Sequence, residues 1–208
     1  PEIPIISEEN TSIDINQRLK WPLTWIIDPL DGTKEFIKRN GDFTVNIALI
    51  RNNRPIFGLI HIPLTNETYW GYDGAGSFLK KGNSIEERIN ISKPSDQKLR
   101  VLISRSHPSD QLSTLLEEIE DYKLIEAGSS LKFCLIARGD ADFYPRLGPT
   151  CEWDTAAGEA IINNAGGIML DLNGNSLKYN NSKNFLNPYF LVANDYNILE
   201  SLIQKNIK

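Results

Sequence analysis

The sequence predicts a mixed fold: an α+β lobe over residues 1–98 joined to an α/β lobe over residues 99–208. Two observations predict it. Through residues 43–79, short runs rich in Val, Ile, Phe and Tyr are punctuated by Asn, Gly and Pro, the pattern of an antiparallel meander. From residue 99 onward, strand-like runs alternate with helix-length amphipathic segments, the pattern of a mostly parallel sheet covered by helices.

In chain order, residues 3–6 form a short apolar strand running into Ser7, Glu8 and Glu9. Residues 10–23 are polar, contain Pro22 and read as a loop. Residues 24–27 form a buried strand, which Pro29 stops at once. Asp28 and Asp31 are thereby delivered to one tight turn. On a strand their spacing would point them to opposite faces, but a turn converges them. Converging carboxylates repel unless a cation lies between them, which is how proteins hold hard divalent metals such as Mg²⁺. The plain alternative is an Asx-type turn with solvated acids. Gly32 lets the backbone pass close to a ligand, and Thr33 adds a hydroxyl.

Residues 34–39 form a short helical turn closed by Asn40 and Gly41. Strands follow at 43–50 and 56–62, joined by the hairpin signal Arg51-Asn52-Asn53-Arg54-Pro55. Residues 67–72 make the next strand, and 73–76 turn the chain into 77–79. The second half reads as strand 99–104, then helix 110–122 with Leu112, Leu115, Leu116 and Ile119 on one face. Strand 123–127, helix 130–138, strand 141–144, helix 155–164 and strand 168–172 come next. Strand 190–193 and helix 196–204 close the chain. Phe133 and Leu135 are read as core, His61 as structural, and Trp153 as packing behind Asp154.

Composition narrows the function. The 208 residues are 40% hydrophobic and 24% charged, ordinary for a globular protein. No apolar run approaches the roughly 20 residues of a membrane span, and no signal-peptide pattern is visible. The two cysteines, Cys134 and Cys151, read as free thiols of a cytoplasmic protein. A net charge of −5 and a pI near 5.2 argue against a nucleic-acid polymer as partner. A small anionic ligand stays open, because metals and a local cluster of Lys and Arg reverse the sign at a pocket. The chain opens at Pro1 already in domain-like sequence, so an N-terminal segment is expected to be absent.

Three acidic clusters carry the chemistry: Glu8-Glu9 after a strand, Asp28 with Asp31, and Glu152-Trp153-Asp154 before a helix. Each has a plain reading, since Asp154 is a good helix cap and Glu8 and Glu9 suit an exposed loop. Together they supply enough oxygens for two or three Mg²⁺ ions, the arrangement that two-metal phosphoryl hydrolysis needs.

Ser7-Glu8-Glu9, then Asp28-Pro29-Leu30-Asp31-Gly32-Thr33, then Trp153-Asp154-Thr155-Ala156-Ala157-Gly158 resembles the three-part signature of the inositol monophosphatase superfamily. These are Mg²⁺-dependent, Li⁺-sensitive phosphatases. Within the superfamily, the run from Gly32 through Lys34-Glu35-Phe36 to Gly41 resembles the bacterial 3′(2′),5′-bisphosphate nucleotidases. Ser104-Arg105-Ser106-His107 and Gly128-Ser129-Ser130-Leu131-Lys132-Phe133-Cys134 resemble the same subgroup. The resemblance runs from about Pro4 to Ala193.

It implies a layered αβαβα sugar-phosphatase-type fold, with the N-terminal helices missing from this chain. It implies that Glu8, Asp28 and the Leu30 carbonyl bind one Mg²⁺, while Asp28, Asp31 and Asp154 bind another. Glu9 takes a supporting role behind them. It implies hydrolysis of adenosine 3′,5′-bisphosphate to AMP and phosphate by a metal-activated water that Thr33 orients, so that Thr33, Glu8 and Asp28 are catalytic. The Gly32 and Thr33 amides receive phosphate oxygens beside Asp31. His107, Ser129, Lys132 and Arg146 resemble the positions that hold the adenosine and its 5′-phosphate; the plain readings are a surface His, a capping Ser and solvated cations. A role in sulfate assimilation, in the cytoplasm or peripherally at the cytoplasmic face of the inner membrane, goes with the resemblance. The oligomeric state stays open.

One family feature has no match. The Asp that hydrogen-bonds the catalytic threonine sits on an early helix that would precede the first strand here. The resemblance therefore also implies a broken water-activating pair and an uncovered apolar face on the first sheet, within residues 43–50 and 56–62. Three rivals remain. Haloacid-dehalogenase-type phosphatases read D-x-D-G-T, one residue shorter than the D-x-x-D-G-T here, and pass through an aspartyl-phosphate. An inositol monophosphatase or fructose bisphosphatase shares the metal chemistry. The third is a truncated, inactive metal- and nucleotide-binding module.

Overall fold

The computed structural model describes residues 2–10, 12–93, 98–105 and 110–204. Its first sheet has seven strands in chain order: β1 (Ile5–Ser7), β2 (Leu23–Asp31), β3 (Thr44–Arg51), β4 (Arg54–Ile62), β5 (Glu67–Tyr72), β6 (Gly76–Lys81) and β7 (Glu87–Ile89). β1 pairs parallel with β2, and every later pairing is antiparallel. Two short helices interrupt this run: α1 (Ile15–Arg18) and α2 (Thr33–Lys38). The β3–β4 hairpin turns on Asn52 and Asn53, with φ of 49° and 64°, the left-handed pair that matches strand twist.

The remaining elements are β8 (Leu99–Ser104), α3 (Asp110–Glu117), β9 (Tyr122–Ala127), α4 (Leu131–Ala137), β10 (Phe143–Arg146), α5 (Glu152–Ala165), β11 (Ile168–Asp171), β12 (Phe190–Ala193) and α6 (Tyr196–Gln204). The second sheet has the order β11-β12-β10-β8-β9. Here the expectation of a mostly parallel sheet is corrected. β9, β8 and β10 are parallel, but β12 enters antiparallel to both β10 and β11. The chain returns from β11 to β12 without a crossover helix, the usual connection of a parallel pair.

Helix α5 lies against β2 through β6 on one side and reaches β11, with α4 alongside it. One core joins Ile26, Ala48 and Ile60 of the first sheet to Phe133 and Ile161 of these helices and to Met169, Phe190 and Val192 of the second sheet. A separate core places Leu115, Leu116, Leu199 and Leu202 of α3 and α6 on the far face of the second sheet, over Val101, Phe143 and Leu191. The described layers thus run sheet, helix pair, sheet, helix pair. α5 approaches the first sheet closely because Gly58 leaves room: a Cβ there would lie 2.2 Å from the Ala157 carbonyl oxygen.

On the opposite face of the first sheet, Val45, Ile47, Leu49, Phe57 and Leu59 alternate with the buried set and are partly exposed. Trp25 packs edge-on to Phe57 there, and Trp70 stacks on Phe78.

Other local corrections concern turns. Pro29 does not end its strand: β2 runs on to Asp31 through a register shift between Asp28 and Asp31. Proline is tolerated at such a bulge because it removes no ladder bond, and β1 pairs with β2 only as far as Ile27. The loop read over residues 10–23 contains α1, capped by Asp14, whose Oδ1 accepts from the Gln17 amide at 3.0 Å. β7 adds a strand beyond those the pattern predicts, and α3 ends at Glu117 rather than near 122.

Candidate active site

The bulge in β2 is what gathers the acids. Pro29 and Leu30 are squeezed out of register, so that Asp28 sits opposite Asn46 and Asp31 opposite Thr44. Asp154, in the first turn of α5, comes within reach of both. One ligand oxygen from each of Asp28, Asp31 and Asp154 lies within 4.8 Å of the others. Asp28 Oδ1 accepts the Leu30 amide at 2.9 Å, which fixes the carboxylate. Asp154 Oδ2 accepts the Cys151 amide at 2.8 Å, closing the start of its helix.

The electrostatics are those of a cation site. Burial, reinforced by the charges of Asp31, Glu8 and Asp154, pushes Asp28 up to about 8. Burial and the Asp31 charge push Asp154 up to about 7. Asp28 Oδ2 is buried and has no hydrogen-bond partner among the described residues. An orphaned carboxylate oxygen on a residue grouped with two further carboxylates suits Mg²⁺, which takes oxygen ligands and bridging carboxylates. Glu8 follows β1 on the surface and lies outside the 4.8 Å group, although its charge acts on both Asp28 and Asp154. Glu9 beside it is also exposed.

A cavity of about 320 Å³ opens next to the acids, lined by Asp31, Gly32, Thr33, Lys132, Phe133, Tyr144, Arg146, Asp154 and Phe190 among others. That size suits a small organic ligand. Gly32 has φ of 87°, and a Cβ there would press on the Asp42 carbonyl and on Ser129 at 3.1 Å. Thr33 begins α2 and is exposed to the cavity.

The far wall is aromatic and cationic. Phe133, Tyr144 and Phe190 pack against one another at centroid distances of 5.6–6.2 Å. The Lys132 ammonium stands 5.2 Å over the Tyr144 ring and donates to the Ser129 carbonyl at 2.8 Å and the Ala127 carbonyl at 3.2 Å. Burial pulls this ammonium down to about 8, against the pull of Asp31. Arg146 donates through Nη2 to the Pro149 carbonyl, while its buried Nε has no partner among the described residues.

The geometry thus brings together Asp28, Asp31, Asp154, Gly32, Thr33, Ser129, Lys132 and Arg146. Leu30 contributes an amide to Asp28. Ser129 points its hydroxyl at Asp31 rather than into open space. His107 lies outside the described residues. His61 bonds Thr68 at 2.9 Å across β4 and β5, away from the site. Trp153 is buried against Phe185, behind Asp154. Sequence reasoning missed Thr44, Asn46, Ser130 and Asp42, which surround the site. The available signal was that Thr44 and Asn46 break the apolar alternation of β3 on its inward face.

The chain matches the inositol monophosphatase family over residues 1–206. It is 44% identical over 194 residues to the 3′(2′),5′-bisphosphate nucleotidase CysQ of Salmonella typhimurium, covering 93% of this chain and 76% of that protein. A protein of the same description from Buchnera aphidicola is 47% identical over 196 residues, covering 93% and 72%. Among solved structures, CysQ from Bacteroides thetaiotaomicron superposes with a TM-score of 0.84 at 39% identity, covering 94% of this chain and 78% of that one. The Thermotoga maritima IMPase superposes at 0.77 with 26% identity, covering 100% and 78%. A bulged acidic strand, a helix-borne third carboxylate and a similarity that spans nearly every described element lead to one assignment: the chain belongs to the inositol monophosphatase family.

Proposed function

We propose that the chain is a Mg²⁺-dependent phosphatase that removes the 3′-phosphate of adenosine 3′,5′-bisphosphate, giving AMP and inorganic phosphate. The observation that carries this reading is one cleft with an acidic trio at one end and a buried cationic, aromatic wall at the other. The relatives described as bisphosphate nucleotidases support it.

Glu8, Asp28 and the Leu30 carbonyl would hold one Mg²⁺, and Asp28, Asp31 and Asp154 another. When bound, Mg²⁺ neutralises charge on the phosphoryl oxygens and lowers the pKa of a water. The residues do the rest. Thr33 orients the attacking water through its hydroxyl, and the Gly32 and Thr33 amides receive phosphate oxygens. Water bonds to phosphorus as the bond to the 3′-oxygen breaks; of the water's two protons one ends on that oxygen, which leaves as the 3′-hydroxyl, and the other stays on the released phosphate. Lys132 and Arg146 supply the positive charge that a 5′-phosphate needs, and the aromatic wall packs against the nucleoside. Ser129 frames the same wall, and His107 is assigned to the nucleoside. In the cytoplasm such an activity would clear a by-product of sulfate assimilation.

The rival substrate is an inositol monophosphate. It brings a single phosphate and would leave Lys132 and Arg146 without an anion. Phosphate release with Mg²⁺ from adenosine 3′,5′-bisphosphate and from inositol 1-phosphate decides between them. The expected result is a kcat/KM at least 10-fold higher for the nucleotide; faster release from the inositol substrate overturns the reading.

A further inference from the structure

Thr44, Asn46 and Ser130 are the most deeply buried polar cluster beside the acids, at 0%, 1% and 1% exposure. Burying a hydroxyl or an amide is costly unless its bonds are made, so such a cluster on an inward strand face needs a reason. Further along the same face of β3 stand Ala48 and Ile50.

The bonds run toward Asp31. Its Oδ2 accepts the Ser129 hydroxyl at 2.6 Å and the Ser130 amide at 2.7 Å. Thr44 Oγ1 lies 2.6 Å from each of the two serine hydroxyl oxygens. Ser130 in turn donates its hydroxyl to Asn46 Oδ1 at 2.7 Å. The Ser129 proton goes to Asp31 and the Ser130 proton to Asn46, which leaves the single Thr44 proton for one serine at a time, with Thr44 seated between the two at hydrogen-bond distance. Asn46 then reaches across with its amide to the Trp153 carbonyl at 3.4 Å, at the start of the helix that carries Asp154.

From this we infer that Thr44, Ser130 and Asn46 form a positioning relay. It holds Asp31 by Oδ2, so that Oδ1 is the oxygen left to face a cation, and it sets the distance between Asp31 and Asp154. Ser129 is the strained link: it adopts φ of 50°, a left-handed conformation that a serine holds only when its surroundings fix it. Ser130 lines the cavity, but the hydrogen bonds of the three residues go to Asp31, to Ser129, to one another and to the Trp153 carbonyl rather than to Lys132 or Arg146. They act through Asp31 and Asp154, as groups behind metal ligands do. The inference rests on the reading of the three aspartates as metal ligands.

Mn²⁺ binding followed by electron paramagnetic resonance, at one pH and without substrate, tests the relay apart from turnover. Thr44→Val keeps the shape and removes the hydroxyl, and Asn46→Leu cuts the tie to the Trp153 carbonyl. Each is expected to weaken Mn²⁺ by roughly 10-fold or more, the usual cost of losing a group behind a metal ligand. Thr44→Ser restores the hydroxyl and is expected to restore affinity to within about threefold of the unchanged chain, which a purely volumetric role of Thr44 would not allow. Should Thr44→Val fail to fold, Thr44→Ser and Asn46→Leu carry the test alone. Unchanged Mn²⁺ affinity in a folded Thr44→Val or Asn46→Leu chain overturns the relay. Phosphate release by the unchanged chain reports separately on the substrate reading.

Discussion

At the scale of the residue, Asp28 is 1% exposed, with one oxygen on the Leu30 amide and the other without a partner among the described residues. Burial and three neighbouring carboxylates raise it to about 8, from 3.8. The sign follows from linkage. Between those values the native chain holds a proton that the unfolded chain has lost, so metal-free stability falls as pH rises through the window. A divalent ion competes with that proton, so its affinity climbs over the same range. Asp28→Asn removes the repulsion while keeping the bond to Leu30. At pH 8 without metal it is expected to be more stable by about 2 kcal/mol, or roughly 4–8 °C in melting temperature. Saturating Mg²⁺ should raise the melting temperature of the unchanged chain and leave the variant unmoved. Thermal melts with and without Mg²⁺ check both signs. The sequence made Asp28, Asp31 and Asp154 legible because acids near strand and helix ends are visible in one dimension. It misplaced the bulge because Pro29 is a reliable terminator only where its missing amide would have had a partner, and β1 has already ended there.

At the scale of the element, α5 unites chemistry and packing, and its buried acids mark where pattern reading stops. Its sequence reads as a small-residue helix, and the small residues serve close approach: a Cβ on Gly158 would lie 2.3 Å from the Phe133 ring. Glu159, 3% exposed, is held by the Tyr179 hydroxyl at 2.5 Å. Nothing in the local sequence pairs residues 20 apart, so that bond is invisible to pattern alone. Burial lifts Glu159 to about 7 from 4.5. In this window the native state binds the extra proton, and the helix loses stability as pH rises from about 4.5 to 7. Glu159→Gln keeps an acceptor for Tyr179 and removes the titration. It is expected to gain on the order of 2–3 kcal/mol over the unchanged chain at pH 8 and nothing at pH 4.5. Urea melts at the two pH values measure it, and equal gains at both would sink the assignment to Glu159.

At the scale of the molecule, long-range ties hold the site together, and Arg18 is the largest of the fully buried side chains among the described residues. It ends α1, in a stretch whose polar composition reads as loop, and its partners lie more than 160 residues away. Such a role cannot be seen in a single segment, since a lone Arg in polar sequence is ordinarily a surface charge. Nη1 donates to Asn180 Oδ1 at 2.9 Å, and Nη2 to the carbonyls of Ser182 and Lys183 at 2.8 and 3.1 Å. The guanidinium lies 4.3 Å over the Phe185 ring, which packs on Trp153 beside Asp154. Asn180 passes the tie onward: its amide donates to Glu152 Oε2 at 2.7 Å, at the first residue of α5. Asn53 of the β3–β4 hairpin grips the same segment through the Tyr179 and Asn180 carbonyls. First sheet and central helix are therefore both tied to residues 179–180, and the Arg18 guanidinium holds the same segment. Arg18→Met fills the space but strands three acceptors, at a cost of about 3–5 kcal/mol. Arg18→Lys offers an ammonium without the planar fork that spans those acceptors, so an intermediate loss is expected. Because the tie ends two residues from Asp154, Mn²⁺ affinity should fall in step with stability in both variants. A lysine variant as stable as the unchanged chain would show that charge alone, and not the fork, holds the segment to the helix.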